Sequence, residues 1–82
     1  MNLTEDELLA DCSTYKRNYQ TKRSVTIHRK NFCLYISLYD NSKCLASIER
    51  AISGVDRSCQ SWLELLNEFL NGGNIDWLEG SG

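Results

Sequence analysis

The sequence predicts an α+β fold: a small single domain in which an antiparallel hairpin packs against helices. Three observations carry this reading. A capping box opens an apolar stripe near the N-terminus, two β-rich runs flank a short polar turn, and the last third has helical apolar spacing closed by Gly72-Gly73. The expected order is helix, strand, strand, helix, helix, with Ile75-Asp76-Trp77-Leu78 available as a short C-terminal third strand.

Thr4 precedes Glu7 by three residues, so the Thr4 hydroxyl can accept from the Glu7 amide while the Glu7 carboxylate accepts from the Thr4 amide. Leu3 and Leu8 can staple across this start, and Glu5, Asp6 and Glu7 suit the positive end of a helix. Leu8, Cys12, Tyr15 and Tyr19 then recur at spacings of four, three and four, predicting a helix over residues 5–19. Ser24 to His28 alternate, with Val25 and Ile27 on one face, as a half-buried strand does. Arg29-Lys30-Asn31 is a polar turn. Phe32 to Tyr39 follows, placing Phe32, Leu34, Ile36 and Leu38 on one face and Cys33, Tyr35, Ser37 and Tyr39 on the other.

Asp40-Asn41-Ser42 supplies the next turn. Beyond it, Leu45, Ile48 and Ile52, supported by Cys44 and Ala51, predict a second helix that Gly54 ends. Asp56 or Ser58 caps a third helix, whose wide apolar face holds Trp62, Leu63, Leu66, Phe69 and Leu70. A two-stranded hairpin alone is marginal in water, so helices, a third strand or a second copy of the chain must cover it.

The chain has 82 residues, 41% hydrophobic and 24% charged, with net charge -2, which describes one ordinary domain. Residues 1–79 form that domain, and 80–82 read as a flexible tail of vector character. No apolar run approaches the ~20 residues of a membrane span. The acidic start from Met1 to Glu7 lacks both regions of an export signal, so the expected location is cytoplasmic and no membrane partner is expected. Cys12, Cys33, Cys44 and Cys59 fall within apolar patterns at wide spacings and read as reduced, buried thiols. With no Cys-x-x-Cys pair and His28 the lone histidine, no metal and no cofactor is expected.

The small net charge conceals a segregation. Lys16, Arg17, Lys22, Arg23, Arg29 and Lys30 place six of the nine basic residues within residues 16–30, which hold no acid, while the remainder carries three bases against eleven acids. A field of that shape steers partners. Three readings of the basic segment compete: a phosphate-binding surface with Tyr15, Tyr19, Tyr35 and Tyr39 available for stacking, a solvated region protecting a strand edge, and a surface for an acidic protein.

No nucleophile with its base, metal cluster or carboxylate pair has a recognisable local arrangement, and Gly72-Gly73 lacks the lysine and spacing of a phosphate loop. The chain therefore reads as a non-enzymatic, small protein-binding module, an inhibitor or adaptor of a larger host protein or nucleoprotein complex. Small proteins of phages and mobile elements that block host machinery share its size, charge segregation and lack of catalytic groups, by analogy only. The alternative is a nucleic-acid-binding accessory protein using residues 16–30.

The expected partner-binding residues are Lys16, Arg17, Lys22, Arg23, Arg29, Lys30, Tyr35 and Tyr39, with a secondary acidic surface of Glu49, Asp56, Glu64 and Glu68. Tyr35 and Tyr39 either face solvent on an open sheet or lie beneath the first helix with Tyr15 and Tyr19. A homodimer through the hairpin would also cover them. Replacing Arg23, Arg29 and Lys30 with glutamate is expected to weaken partner binding while leaving the fold intact.

Overall fold

The computed structural model describes residues 2–75. A one-turn helix α1 (Glu5–Leu8) precedes strands β1 (Thr14–Asn18), β2 (Arg23–Lys30), β3 (Cys33–Asp40) and β4 (Lys43–Ala51), and helices α2 (Ile52–Arg57) and α3 (Cys59–Leu70) complete the order. The strands form a single antiparallel sheet in sequential order. The α+β class is as the sequence predicts, with a four-stranded meander where a two-stranded hairpin is expected.

The extra strands replace predicted helix, and each replacement has a cause. Over residues 5–19, only the first turn is helical. Its capping box forms, with Thr4 Oγ1 accepting from the Glu7 amide at 3.3 Å and Glu7 Oε1 accepting from the Thr4 amide at 2.9 Å. Of the four-residue stripe only Leu8 is buried; Cys12, Tyr15 and Tyr19 are exposed, because β1 instead gives its backbone to the ladder of β2. Over residues 43–51 the helical spacing of Leu45 and Ile48 is produced by a bulge. Leu38 pairs with Ala46 and Tyr39 with Cys44, so Leu45 is the extra residue and its side chain joins Ile48 at the core. A regular strand would send residues three apart to opposite faces. Gly54 consequently lies within α2 and does not end a helix.

The β2–β3 connection is a two-residue turn. Lys30 pairs with Cys33, while Asn31 and Phe32 take left-handed φ values of 52° and 66°. Phe32 therefore leaves the predicted apolar face of β3. The turn after β1 is held by Asn18, whose Oδ1 accepts from the amides of Gln20 and Thr21 at 2.9 and 3.4 Å.

All described helices pack on the Val25–Ile27 side of the sheet. The core joins Val25 and Ile27 of β2, Leu34, Ile36 and Leu38 of β3 and Ile48 of β4 to Leu3, Leu8, Val55, Cys59, Leu66, Phe69 and Leu70. Trp62, predicted for the core, is half-buried at its margin. Asn67 ties the N-terminal segment to α3: its Oδ1 accepts from the Leu3 amide at 2.6 Å and its Nδ2 donates to the Leu3 carbonyl at 3.0 Å.

The predicted stop of α3 is a Schellman motif, in which the Gly73 amide donates to the Glu68 carbonyl at 2.8 Å and the Gly72 amide to that of Phe69 at 3.0 Å. Gly72 has φ 93°, and a Cβ on Gly73 would meet Glu68 Cγ at 2.5 Å and Glu68 O at 2.7 Å. Gly73→Ala is accordingly expected to lower stability by about 1–3 kcal/mol through overpacking, read as a lower urea midpoint with an unchanged slope. Ile75 is half-buried against the core. The rest of the expected third strand, Trp77 and the tail at 80–82 lie outside the described residues.

Candidate functional site

The face of the sheet opposite the helices has no described element over it. Its side chains are fixed by register and form cross-strand rows. The first runs Arg17, Ser24, Tyr39, Cys44; the second Tyr15, Thr26, Ser37, Ser47; the third His28, Tyr35, Glu49; the last Lys30, Cys33, Ala51. Tyr35 and Tyr39 are thus on an open face, half-buried by their neighbours, and Tyr15 joins them 59% exposed. The alternative in which a first helix covers this face is overturned, since residues 14–18 are the strand beside it.

Hydroxyls dominate the ground between the aromatic rings. Ser37 Oγ lies 3.4 Å from Ser47 Oγ, Ser13 Oγ lies 2.8 Å from His28 Nδ1, and Ser24 is buried between its strand neighbours. The carboxylate of Glu49, directly across from Tyr35, pushes the Tyr35 phenol above its usual range, with desolvation adding to it. The Arg17 guanidinium stands 5.2 Å from the Tyr19 ring centroid, and its Nε is shielded from water without a hydrogen-bond partner among the described residues.

The basic segment is divided by the pleat. Arg17 and Lys30 lie on the open face, and Lys22 is exposed in the turn before β2. Lys16, Arg23 and Arg29 fall on the helix side, where each is engaged. Lys16 Nζ meets Glu7 Oε2 at 3.0 Å. Arg29 donates to the Leu9 carbonyl at 3.2 Å and pairs with Asp11 at 3.5 Å. Arg23 donates to the carbonyls of Phe69 and Gly73 at 3.1 and 2.6 Å. A strand alternates its side chains, so consecutive bases such as Lys16 and Arg17 serve opposite faces. On the acidic side, Asp56, Glu64 and Glu68 are exposed on α2 and α3, whereas Glu49 belongs to β4 and the open face.

Lys16 and the Thr4 amide hold Glu7 below the usual carboxylate range. A depressed folded value stabilises the fold above the unfolded pKa and ceases to do so as pH falls through the lowered one. Wild type should therefore lose more stability than Glu7→Gln between about pH 6 and pH 3 in urea melts. The difference should stay within about 1 kcal/mol, since water screens a pair this exposed.

All four cysteines are free, but only Cys59 is buried; Cys33 is half-buried, and Cys12 and Cys44 are exposed, contrary to the expectation of four buried thiols. The bulge and the shortened α1 account for this, by moving Cys44 and Cys12 off helical stripes. Burial pushes the Cys59 thiol up, with Glu5 and Asp56 adding to it. Thiol titration of the native protein should show Cys12 and Cys44 reacting fast, Cys33 more slowly, and Cys59 only on unfolding. No cluster of three or more His, Cys, Asp or Glu side chains suited to a metal ion occurs among the described residues, and no described helix is long and apolar enough to cross a membrane.

Tyr15 and Phe32 stand out structurally where sequence spacing places them wrongly, Tyr15 on a helical stripe and Phe32 on the apolar face of β3. Tyr15 was masked by its helical interval from Leu8 and Cys12. Asn31, a residue tolerant of left-handed φ between two alternating runs, is the signal that locates the turn at Asn31-Phe32. Comparison of the chain with protein-family models, with characterised proteins and with solved structures finds no match to any of them.

Proposed function

We propose that the chain is a non-catalytic protein-binding module, an inhibitor or adaptor, whose open sheet face is the recognition surface. The supporting observation is the composition of a sheet face that no described element covers: Tyr15, Tyr35 and Tyr39 among Ser24, Thr26, Ser37 and Ser47, with Glu49 its one acid among the described residues. Tyrosine offers a large amphipathic contact area for few frozen torsions, and small hydroxyls adapt their hydrogen bonds to whatever lies opposite, which is the chemistry of antibody paratopes. Arg17, Lys22 and Lys30 bias the face and its margin towards an acidic partner surface. Engagement of Lys16, Arg23 and Arg29 inside the fold leaves fewer cations to neutralise phosphates, favouring protein over nucleic acid.

The test is retention from nuclease-treated lysate of the source cells on three tagged proteins: wild type, a Tyr15→Ser/Tyr35→Ser face variant, and a Glu64→Lys/Glu68→Lys helix variant. One protein held by the first and third and lost from the second supports the reading. Retention that disappears with the nucleic acid transfers the function to nucleic-acid binding. A partner lost from the helix variant alone moves the interface to the acidic helices.

A further inference from the structure

The tip of the β2–β3 hairpin carries two features that folding does not reward. Phe32 is 88% exposed, the greatest exposure of any large hydrophobic side chain among the described residues. It also has φ 66°, in the left-handed region where a Cβ crowds the backbone and where this turn favours glycine. A scattered exposed apolar side chain is unremarkable by itself. A bulky one held where glycine would fit better is not explained by packing, for its ring is almost wholly in water.

The tip is also fixed in place. Lys30 and Cys33 close the turn, and the Phe32 carbonyl accepts from the Ile52 amide at 2.9 Å, tying the turn to the start of α2. A ring presented on a braced backbone loses little conformational freedom on docking. Its surroundings are polar and cationic: Asn31 and Lys30 are exposed beside it, and Lys30 has no acidic partner among the described residues.

Resting on the protein-binding reading above, we propose that Phe32 is the anchor of that interface, entering an apolar pocket on the partner protein whose rim carries carboxylates facing Lys30. A buried aromatic anchor with a charged rim is the usual layout of an interface hot spot. The row Lys30, Cys33, Ala51 lies between the tyrosine rows and the turn that carries Phe32, so the tip adjoins the open face.

The experiment uses p-benzoylphenylalanine placed at Phe32 in the full chain, with the same group at exposed Gln60 of α3 as control. Irradiation in nuclease-treated lysate should yield one discrete protein adduct from position 32 and none from position 60. The trapped protein, purified, should bind Phe32→Gly at least roughly 30-fold more weakly than wild type by calorimetry. Phe32→Gly should meanwhile keep or raise its urea midpoint, because glycine relieves the left-handed strain, which separates lost binding from lost folding. Lys30→Glu should weaken the same complex by a smaller factor and steepen its failure at low salt. Absence of a discrete adduct, or affinity changed less than about threefold by Phe32→Gly, overturns the anchor. In the latter case loss of the partner from the tyrosine-face variant would leave the broader function standing. Phe32-dependent binding to phosphatidylserine-containing vesicles or to duplex DNA, without a protein adduct, overturns it in favour of those surfaces.

Discussion

Phe69→Ala should lower the stability of this domain by about 3–5 kcal/mol, as truncation of a fully buried aromatic side chain does. Phe69 heads the fully buried side chains by volume, lies on the face of α3 turned to the sheet, and has the Arg23 guanidinium 4.7 Å from its ring centroid. Alanine would remove the ring's contacts with the core and also the surface over which that guanidinium is held. A domain of this size has a total stability of roughly 4–12 kcal/mol, so the variant should be partly or wholly unfolded in mild urea. Far-ultraviolet circular dichroism against urea measures it. A loss below about 1 kcal/mol would mean that the core collapses around the gap and that Phe69 is not its main support.

Phe69 was legible in the sequence, and the reason separates what spacing reveals from what it conceals. Leu63, Leu66, Phe69 and Leu70 repeat within a twelve-residue helix closed by a glycine stop, long enough for only one period to fit. The alternation through Val25, Ile27, Leu34, Ile36 and Leu38 was equally plain. The outer strands were not, because short segments satisfy two periods at once. Tyr15 and Tyr19, four apart, suit a helix, yet Tyr15 also alternates with the inward Thr14 and Lys16. At Leu45 and Ile48 the bulge makes a strand imitate helical spacing. Since the open face is built from all four strands, its tyrosine rows became visible only with the register. The basic cluster was legible as composition, but the pleat determines which bases face outward.

That division bears directly on Arg23→Ala, for which a loss of about 2–4 kcal/mol is expected, because charge-assisted hydrogen bonds to the Phe69 carbonyl in the last turn of α3 and to the Gly73 carbonyl just beyond it are removed. Arg23 Nη1 donates to Phe69 O at 3.1 Å and to Gly73 O at 2.6 Å, and Nε lies 3.9 Å from Asp40 Oδ2. A cation here also opposes the partial negative charge at the end of α3. Arg23→Lys should recover part of the loss, since an ammonium keeps the charge but not the planar guanidinium that aims Nη1 at both carbonyls while Nε faces Asp40. Arg23→Glu should be worse than alanine, placing a carboxylate beside carbonyl oxygens and Asp40. Lys30→Glu, at an exposed strand end, should stay within about 0.5 kcal/mol of wild type. The Arg23/Arg29/Lys30 triple glutamate variant therefore confounds binding with folding. If urea melts put Arg23→Ala and Lys30→Glu at equal stability, the helix-end role of Arg23 fails. If they separate as expected, Lys30→Glu is the variant whose binding defect can be read as an interface effect.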